Sequence, residues 1–232
     1  MLKKSISLIF FLNMIIAYAH AQTIDKLMSE VRKKMALIKD YQATGTMKTS
    51  VSFLKIPAEP MTMYYKAPDK LSIKTSNGLS FVPKGAVNLN INKLIADKTF
   101  TVIDAGTDRI AGKMVRLVKL LPLDDKNEII LSTVYIDPVE KLILKSRTTT
   151  KQNGTFELEM SYGKYVNWGL PDKIVFIFNT KDYKLPKGIT FDFDDGTAKS
   201  AAQAGVDKSK GQAELTFSQY VVNKGVEEKF FK

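Results

Sequence analysis

The stretch Thr155–Tyr162, "TFELEMSY", puts Phe156, Leu158, Met160 and Tyr162 at every second position, with Thr155, Glu157, Glu159 and Ser161 between them. Successive side chains of an extended chain point to opposite faces, so this octet predicts a half-buried β-strand with one apolar and one polar side. Asn153-Gly154 just before it is a hairpin signal, and Asp137-Pro138 further back is a turn signal. Outward from this point, "KTFTVID" (98–104), "GKMVRLVKLL" (112–121), "EIILSTVYID" (128–137), "KLILKSRTTT" (141–150) and "DKIVFIFN" (172–179) read as further strands. Strand follows strand through short turns, with no βαβ alternation, which predicts an antiparallel meander.

The same period of two fills the earlier part of the chain. In "YQATGTMKTSVSFLK" (41–55), Ala43, Met47, Val51 and Phe53 alternate with polar residues, and the odd register continues through Met61, Met63 and Tyr65. "KLSIK" (70–74) adds Leu71 and Ile73, and "AELTFSQYVVN" (213–223) supplies a last strand. Before all of these, Thr23 caps a predicted amphipathic helix to about Lys39, with Ile24, Leu27, Val31, Met35 and Ile38 three or four residues apart. A second short helix is expected near Asn92–Asp97, and "TAKSAAQAGVDKSKGQ" (197–212) reads as a small, polar loop. No internal repeat recurs at a fixed period.

The chain opens "MLKKSISLIFFLNMIIAYAHAQ": a basic start at Lys3 and Lys4, an apolar run from about Ile6 to Ile16, and the small-x-small site Ala19-His20-Ala21. This is the pattern of a secretory signal peptide, too short and too interrupted by Asn13 to span a bilayer. Cleavage after Ala21 leaves 211 of the 232 residues, 22–232, as one domain. The only histidine, His20, goes with the leader, and the chain has no cysteine. Disulfides, thiol nucleophiles and Cys/His zinc sites are thereby excluded, as is a lipid anchor on a cysteine at the cleavage site. With Lys3 and Lys4 gone, 33 of the 35 basic residues face 24 acidic ones. That surplus fits a lysine-rich solvated surface, and equally a meeting with anionic lipid headgroups or an acidic protein outside the cytoplasm. Nucleic acid is not an expected partner.

Catalytic equipment is missing. "GLSFV" around Ser80 lacks the second glycine of a nucleophile elbow, and Ser161/Lys164 form S-x-x-K without its companion motifs. Phosphate loops and dinucleotide fingerprints are absent. In "FDFDDG", Asp192, Asp194 and Asp195 are out of step with a calcium loop, because Gly196 at position 6 would put Phe191 at position 1. Asp124-Asp125 beside Pro122 and the sequon Asn153-Gly154-Thr155 are explained as turn residues. No enzyme, cofactor or metal is expected.

What remains is a sheet with one strongly apolar face, which either packs as ordinary core or encloses an apolar ligand. Met28, Met35, Met47, Met61, Met63, Met114 and Met160 all fall on predicted inward faces, and methionine suits surfaces that repack around variable partners.

Several stretches carry a resemblance. "YYKAPDKLSIK" (64–74) resembles the strand-turn-strand of the LolA family of periplasmic lipoprotein carriers. "TFTVIDAGTDRIAGKMVRLVKLLP" (99–122), "VYIDPVEKLILKS" (134–146) and "NGTFELEMSYGKY" (153–165) are similar to the wider superfamily, which includes RseB-type envelope-stress sensors. "WGLPDKIVF" (168–176) and "FSQYVVNKGVEEKFF" (217–231) extend the likeness over most of the chain beyond the leader. The resemblance implies a mostly β, α+β fold: an unclosed antiparallel β-barrel of about ten or eleven strands with helices over its concave face. It also implies a periplasmic, monomeric carrier, without enzymatic activity, that takes lipoprotein acyl chains or another lipid from an inner-membrane ABC transporter towards an outer-membrane acceptor. An RseB-like sensor or lipid-binding module without a transport role is the alternative.

The cavity residues expected on this basis are Met28, Val31 and Met35 of the helix; Met47, Val51, Phe53, Met61, Met63, Tyr65, Leu71 and Ile73 of the first strands; and Phe156, Leu158 and Met160. One departure stands out. Carriers of the family have an arginine immediately before the proline of the strand-turn motif, which latches the helical lid, and here that position is Ala67. The period-two register predicts that Ala67 points inward and Lys66 outward.

Overall fold

The computed structural model describes residues 24–51, 54–55, 57–75, 94–95, 99–179 and 210–231, with the backbone alone at 51, 54 and 55. The expected leader (1–21), Phe53 and the acidic stretch at Asp192, Asp194 and Asp195 lie outside these residues.

A helix, α1 (24–35), leads into β1 (Asp40–Val51), β2 (Leu54–Lys55), β3 (Glu59–Lys66) and β4 (Lys70–Thr75). Residues 94–95 are helical, where the second helix was expected. Then come β5 (Phe100–Ile110), β6 (Lys113–Pro122), β7 (Ile129–Asp137), β8 (Leu142–Thr150), β9 (Gly154–Ser161), β10 (Lys173–Asn179) and β11 (Lys210–Val222). A single-turn 3-10 helix at Val166–Trp168 precedes β10, and another at Glu228–Phe231 follows β11.

The strands make one antiparallel sheet in the order β4-β3-β1-β11-β10-β9-β8-β7-β6-β5, with β2 paired to β1. The run from β5 to β10 is the expected meander. From the edge at β4 the chain moves to the opposite edge at β5, walks back to β10, and β11 fills the place between β10 and β1. Among the described residues β4 and β5 are not paired, so the sheet is not closed, in agreement with the unclosed barrel that the sequence implied.

Local chemistry sets the turns. Ala111 and Gly112 both have positive φ, 48° and 80°, the geometry of a tight two-residue hairpin turn between the paired Ile110 and Lys113. The Asp137 carboxylate accepts hydrogen bonds from the Val139 and Glu140 amides, which folds the Pro138–Lys141 turn. In β1 the register shifts between Thr44 and Gly45, and a side chain at Gly45 would put its Cβ 2.0 Å from the Thr216 carbonyl oxygen of β11. Glycine is required there by close backbone approach.

Three boundaries differ from the sequence reading. The helix ends at residue 35 rather than 39. The Asn223 side chain takes over beyond it, donating to the Leu37 carbonyl at 2.8 Å and accepting from the Lys39 and Asp40 amides at 2.8 and 3.3 Å. The last strand starts at Lys210, because Gly211 and Gln212 pair with Phe178 and Ile177. Backbone pairing next to an existing strand outweighs a loop-like composition. β5 runs on past Asp104 to Ile110 through an irregularity between Asp104 and Thr107, with Gly106 at φ 92°.

The polar face of the sheet is tied by ions. Lys145 lies 2.7 Å from Glu157 and 3.1 Å from Glu159, and Lys173 lies 2.8 Å from Glu214. Partial burial works against both charges, but the hydrogen bonds between them prevail: the Lys145 ammonium is held above, and the Glu157 carboxyl below, its ordinary range. On this same face Tyr64 stacks on Phe230 with ring centroids 4.2 Å apart, and Glu228 bonds Lys66 at 2.7 Å and Lys70 at 2.5 Å.

Candidate functional site

Register fixes which residues share the inner face. Thr49, Ala213, Phe176, Leu158, Ser146, Val134, Val118 and Asp104 follow one another across eight strands. The neighbouring row runs Gly211, Phe178, Phe156, Thr148, Ser132, Leu120 and Val102. A third row runs Glu59, Met47, Leu215, Ile174 and Met160.

This face divides into two halves. Over β5–β8 it is covered by α1: Ile24, Leu27, Met28 and Val31 form one cluster with Leu94, Ile95, Val118, Leu120, Val134, Ile136 and Met160. Burial of each such large side chain contributes about 1.5–3 kcal/mol, so this packing holds the helix down. Over β1, β3 and β9–β11 the cluster comprises Met47, Met61, Met63, Phe156, Phe176, Phe178, Leu215 and Phe217, with Leu71, Ile73 and Leu158 packed against it. No residue of α1 belongs to this second cluster. Leu158 and Ile174 touch both.

The second half is aromatic and graded. Phe156, Phe176 and Phe178 stack in sequence at 5.4 and 5.5 Å. Towards the β3–β4 turn, Tyr41, Tyr65, Tyr220 and Tyr165 close the end, with ring centroids 5.0–5.4 Å apart. Their hydroxyls are occupied: Tyr41 donates to the Met63 sulfur at 3.3 Å, Tyr220 to the Pro171 carbonyl at 2.8 Å and Tyr65 to the Pro68 carbonyl at 3.3 Å. Burial pushes the Tyr41 and Tyr220 phenols far above their ordinary range, so both stay protonated donors. At the opposite end the inward residues become small, with Ala213, Gly211 and Thr49, and Glu59 opens β3.

Glu59 is the chemical exception on this face. It is only 8% exposed, it shares the register of Met61 and Met63, and its Oε2 finds no hydrogen-bond partner among the described residues. The other inward charges satisfy each other, since the Arg116 guanidinium bonds the Asp104 carboxylate between β6 and β5. Ser132 and Thr148 likewise share a hydrogen bond of 2.8 Å.

Polar ties at its flank position α1. The Arg32 Nε donates to the Ile95 carbonyl at 2.7 Å, Lys34 Nζ to the Glu140 carbonyl at 2.8 Å, and Lys141 pairs with Glu30 at 3.1 Å. None of these was anticipated. An arginine inside an amphipathic helix reads as a solvated face, and its carbonyl partner lies 63 residues away.

The sequence-predicted residues fall as follows. Met28 and Val31 are buried on the sheet-facing side of α1, and Met35 is partly buried against the same cluster. Met47, Met61, Met63, Tyr65 and Phe156 are buried in the second half, with Leu71, Ile73 and Leu158 at its margin, and Met160 belongs to the α1-covered half. Of Val51 only the backbone is described. Two expectations are corrected. Met114 is 55% exposed, because it lies at the start of β6 before the first β6–β7 pair at Arg116, opposite the exposed Arg109 of β5 and outside the α1-covered cluster. Ala67 is exposed in the 67–69 turn rather than inward: β3 ends at Lys66, where the chain turns through a cis Ala67-Pro68 bond and alternation stops. Lys66 does point away from the inner face, to Glu228 and the Val226 carbonyl.

Among the described residues no group of three or more histidine, cysteine, aspartate or glutamate side chains could hold a metal ion, and no helix is long and apolar enough to cross a membrane.

No protein-family model matches the sequence, and no curated protein matches it. Solved structures do. A domain assigned to outer membrane lipoprotein sorting from Vibrio parahaemolyticus is similar over 89% of this chain and 94% of its own, with TM-score 0.54 and 11% identity. A LolA superfamily protein from Nitrosomonas europaea gives TM-score 0.56 and 7% identity over 88% of this chain and 96% of its own. A DUF1329 family protein from Desulfovibrio piger gives TM-score 0.53 and 10% identity over 89% and 96%. At such identities the shared property is the fold, and this chain has the fold of these LolA-like structures.

Proposed function

We propose that this chain is an exported, soluble carrier, residues 22–232 forming one domain, that holds an acyl chain of a lipoprotein or another lipid on the inner face of β1, β3 and β9–β11. What supports the reading is the division of that face: α1 covers β5–β8, and the second half is a Phe- and Met-rich wall to which α1 contributes nothing. From Glu59 to Met160 the third row crosses five strands. Four inter-strand spacings make about 19 Å along the sheet. That exceeds the ~15 Å of hydrocarbon in one bilayer leaflet, so one acyl chain fits along it. Each buried methylene contributes about 0.8 kcal/mol, so such a wall binds a long chain strongly without any catalytic group. In the cell the cargo would come from an inner-membrane ABC transporter and leave to an outer-membrane acceptor, the protein staying in the periplasm.

The test is extraction and mass spectrometry of material that co-purifies with the protein from its native envelope, together with binding of an alkyl fluorescent probe to the delipidated protein. Acyl lipids or lipopeptides in the extract, and a probe displaced by them, are expected. A clean extract with no probe binding would refute the site. A stable one-to-one protein complex in place of lipid would favour the sensor role of an RseB-like protein.

A further inference from the structure

Among the described residues no donor meets the buried Glu59 Oε2 and offsets its burial. A carboxyl group in an apolar wall loses its water, and when no donor replaces that water the site is destabilised. Here Glu59 is 8% exposed, Oε2 is sealed without a partner among the described residues, and the inward neighbours are Met47, Met61 and Leu215. The position is also particular. Glu59 is the first residue of β3, past the last β3–β4 pair at Met61 and Thr75, so it stands at the rim of the wall and at the head of the row that ends at Met160. An amphiphile laid along that row would bring its polar end to this carboxyl group.

We infer that Glu59 recognises the polar end of the bound lipid, and that this end carries a cationic N–H donor such as a primary ammonium. The assignment rests on the inner face being a lipid site, and it adds the headgroup class. The chemistry is complementary in both directions: the ammonium supplies the donor that Oε2 lacks, and the carboxyl group offsets the loss of water from the ammonium. An anionic headgroup would instead place like charges together. Among the inward groups the Arg116 guanidinium is already engaged by Asp104, so it offers no competing anion site. The sealed tyrosine end has its hydroxyls bonded within the protein and offers no alternative anchor.

The experiment uses the delipidated full-length mature protein and an environment-sensitive alkyl probe, displaced by dodecylammonium, dodecanol or dodecanoate below their micellar concentrations. Wild type should bind dodecylammonium about tenfold or more tighter than dodecanoate, the scale of one charge-assisted hydrogen bond. Glu59→Gln, which keeps the shape, should reduce that preference to about twofold, and Glu59→Met, which removes the polar atoms altogether, should abolish it while leaving dodecanol unaffected. Lysophosphatidylethanolamine against lysophosphatidylcholine asks whether a lipid headgroup supplies the N–H, and a palmitoylated lysine peptide asks whether a peptide does. A preference for either N–H source that disappears in Glu59→Gln supports the assignment. Equal preferences in wild type and Glu59→Gln, or a wild-type preference for dodecanoate, would overturn it while dodecanol binding kept the lipid site. Failure of all these ligands to displace the probe from wild type would overturn both.

Both variants have a second readout that keeps them interpretable. Losing an unpartnered buried carboxyl group should leave the unliganded protein at least as heat-stable as wild type. A marked loss of thermal stability in both variants would mean that Glu59 serves the fold, and would overturn the assignment.

Discussion

Arg32 is the residue whose removal should change the behaviour of α1 most. Its Nε reaches the Ile95 carbonyl at 2.7 Å from a partly buried position, and Ile95 itself is 1% exposed. A hydrogen bond with an ionised donor is worth about 1.5–3 kcal/mol, and truncating the donor leaves a carbonyl beside apolar packing with nothing to accept from. The Lys141–Glu30 pair that ties the same helix to the β7–β8 turn is different: at 3.1 Å, with side chains about one-third exposed, it is screened by water. Such pairs contribute about 0.2–1 kcal/mol. At 1.4 kcal/mol per factor of ten, Arg32→Ala should raise local opening of α1 about 10- to 100-fold, and Lys141→Ala about fivefold at most. Because the arginine stem also packs, Arg32→Met separates the lost hydrogen bond from lost contact.

The assay is hydrogen exchange read by mass spectrometry on peptides covering residues 24–38 and 94–100, with urea midpoints to fix global stability, and stopped-flow release of an alkyl probe. Faster exchange confined to these peptides in Arg32→Ala and Arg32→Met, with faster probe release, is the expected result. If Arg32→Met left α1 protected within about threefold of wild type while Lys141→Ala loosened it, the weighting of these ties would be refuted.

Met160→Ala should cost about 2–5 kcal/mol, because Met160 is buried in the α1-covered cluster. Glu159→Gln, on the opposite face and half-exposed beside Lys145, should cost about 0.2–1 kcal/mol; equal urea midpoints would mean the register is wrong. Gly45→Ala should destabilise by about 1–3 kcal/mol or more, since its Cβ meets the Thr216 carbonyl oxygen; a variant with a wild-type melting temperature would show that β1 and β11 are farther apart than described. The Glu228 carboxyl is held down at about 2 by hydrogen bonds from Lys66 and Lys70. Its folded value lies below the ordinary 4.5, so its contribution is present above that pH and is lost as pH falls towards 2. An NMR titration of Glu228 with a midpoint near 4.5 would contradict this.

Legibility followed the range of the interactions. "TFELEMSY" showed both its conformation and its buried side, because a half-buried strand writes its environment into every second residue, and β9 runs Gly154–Ser161 with Phe156 and Met160 buried. The hairpins at Asp137-Pro138 and Asn153-Gly154 were local as well. By contrast, α1 was expected to reach Lys39, since Ile38 continues its apolar spacing; the stop comes from Asn223, 186 residues from the Leu37 it caps. The start of β11 at Lys210 was hidden for a related reason, because "KGQ" is polar and its pairing to β10 leaves no mark in composition. Ala67 was assigned inward by extending an alternation one residue past the end of β3, where the turn cancels it. Glu59 was overlooked because a lone glutamate before a proline reads as a solvated strand end, although its odd number already put it in step with Met61 and Met63.

The two halves of the inner face are held by different kinds of force, and this determines which of them can yield. In the second half aromatic rings stack between strands, Phe156 on Phe176 and Tyr41 on Tyr65, and the Tyr41 hydroxyl of β1 bonds the Met63 sulfur of β3, so opening it would break strand-to-strand contacts. α1 instead lies on β5–β8 through one layer of side chains and is fixed at its flank by Arg32, Lys34 and Glu30, each joined to a turn or short segment rather than to a strand. Elements with few ladder hydrogen bonds to the rest of a protein open at lower free energy than the strands beneath them. Leu158 and Ile174 pack against both clusters, so a shift of α1 reaches the Phe176 wall through two side chains. On the proposed reading, a long apolar ligand reaching the Met160 end of the wall would move α1 and leave the sheet in place. The same reading predicts that substitutions at the polar ties of the helix would change the rate of ligand exchange, whereas substitutions at Phe156, Phe176, Phe178 and Leu215 would change its affinity.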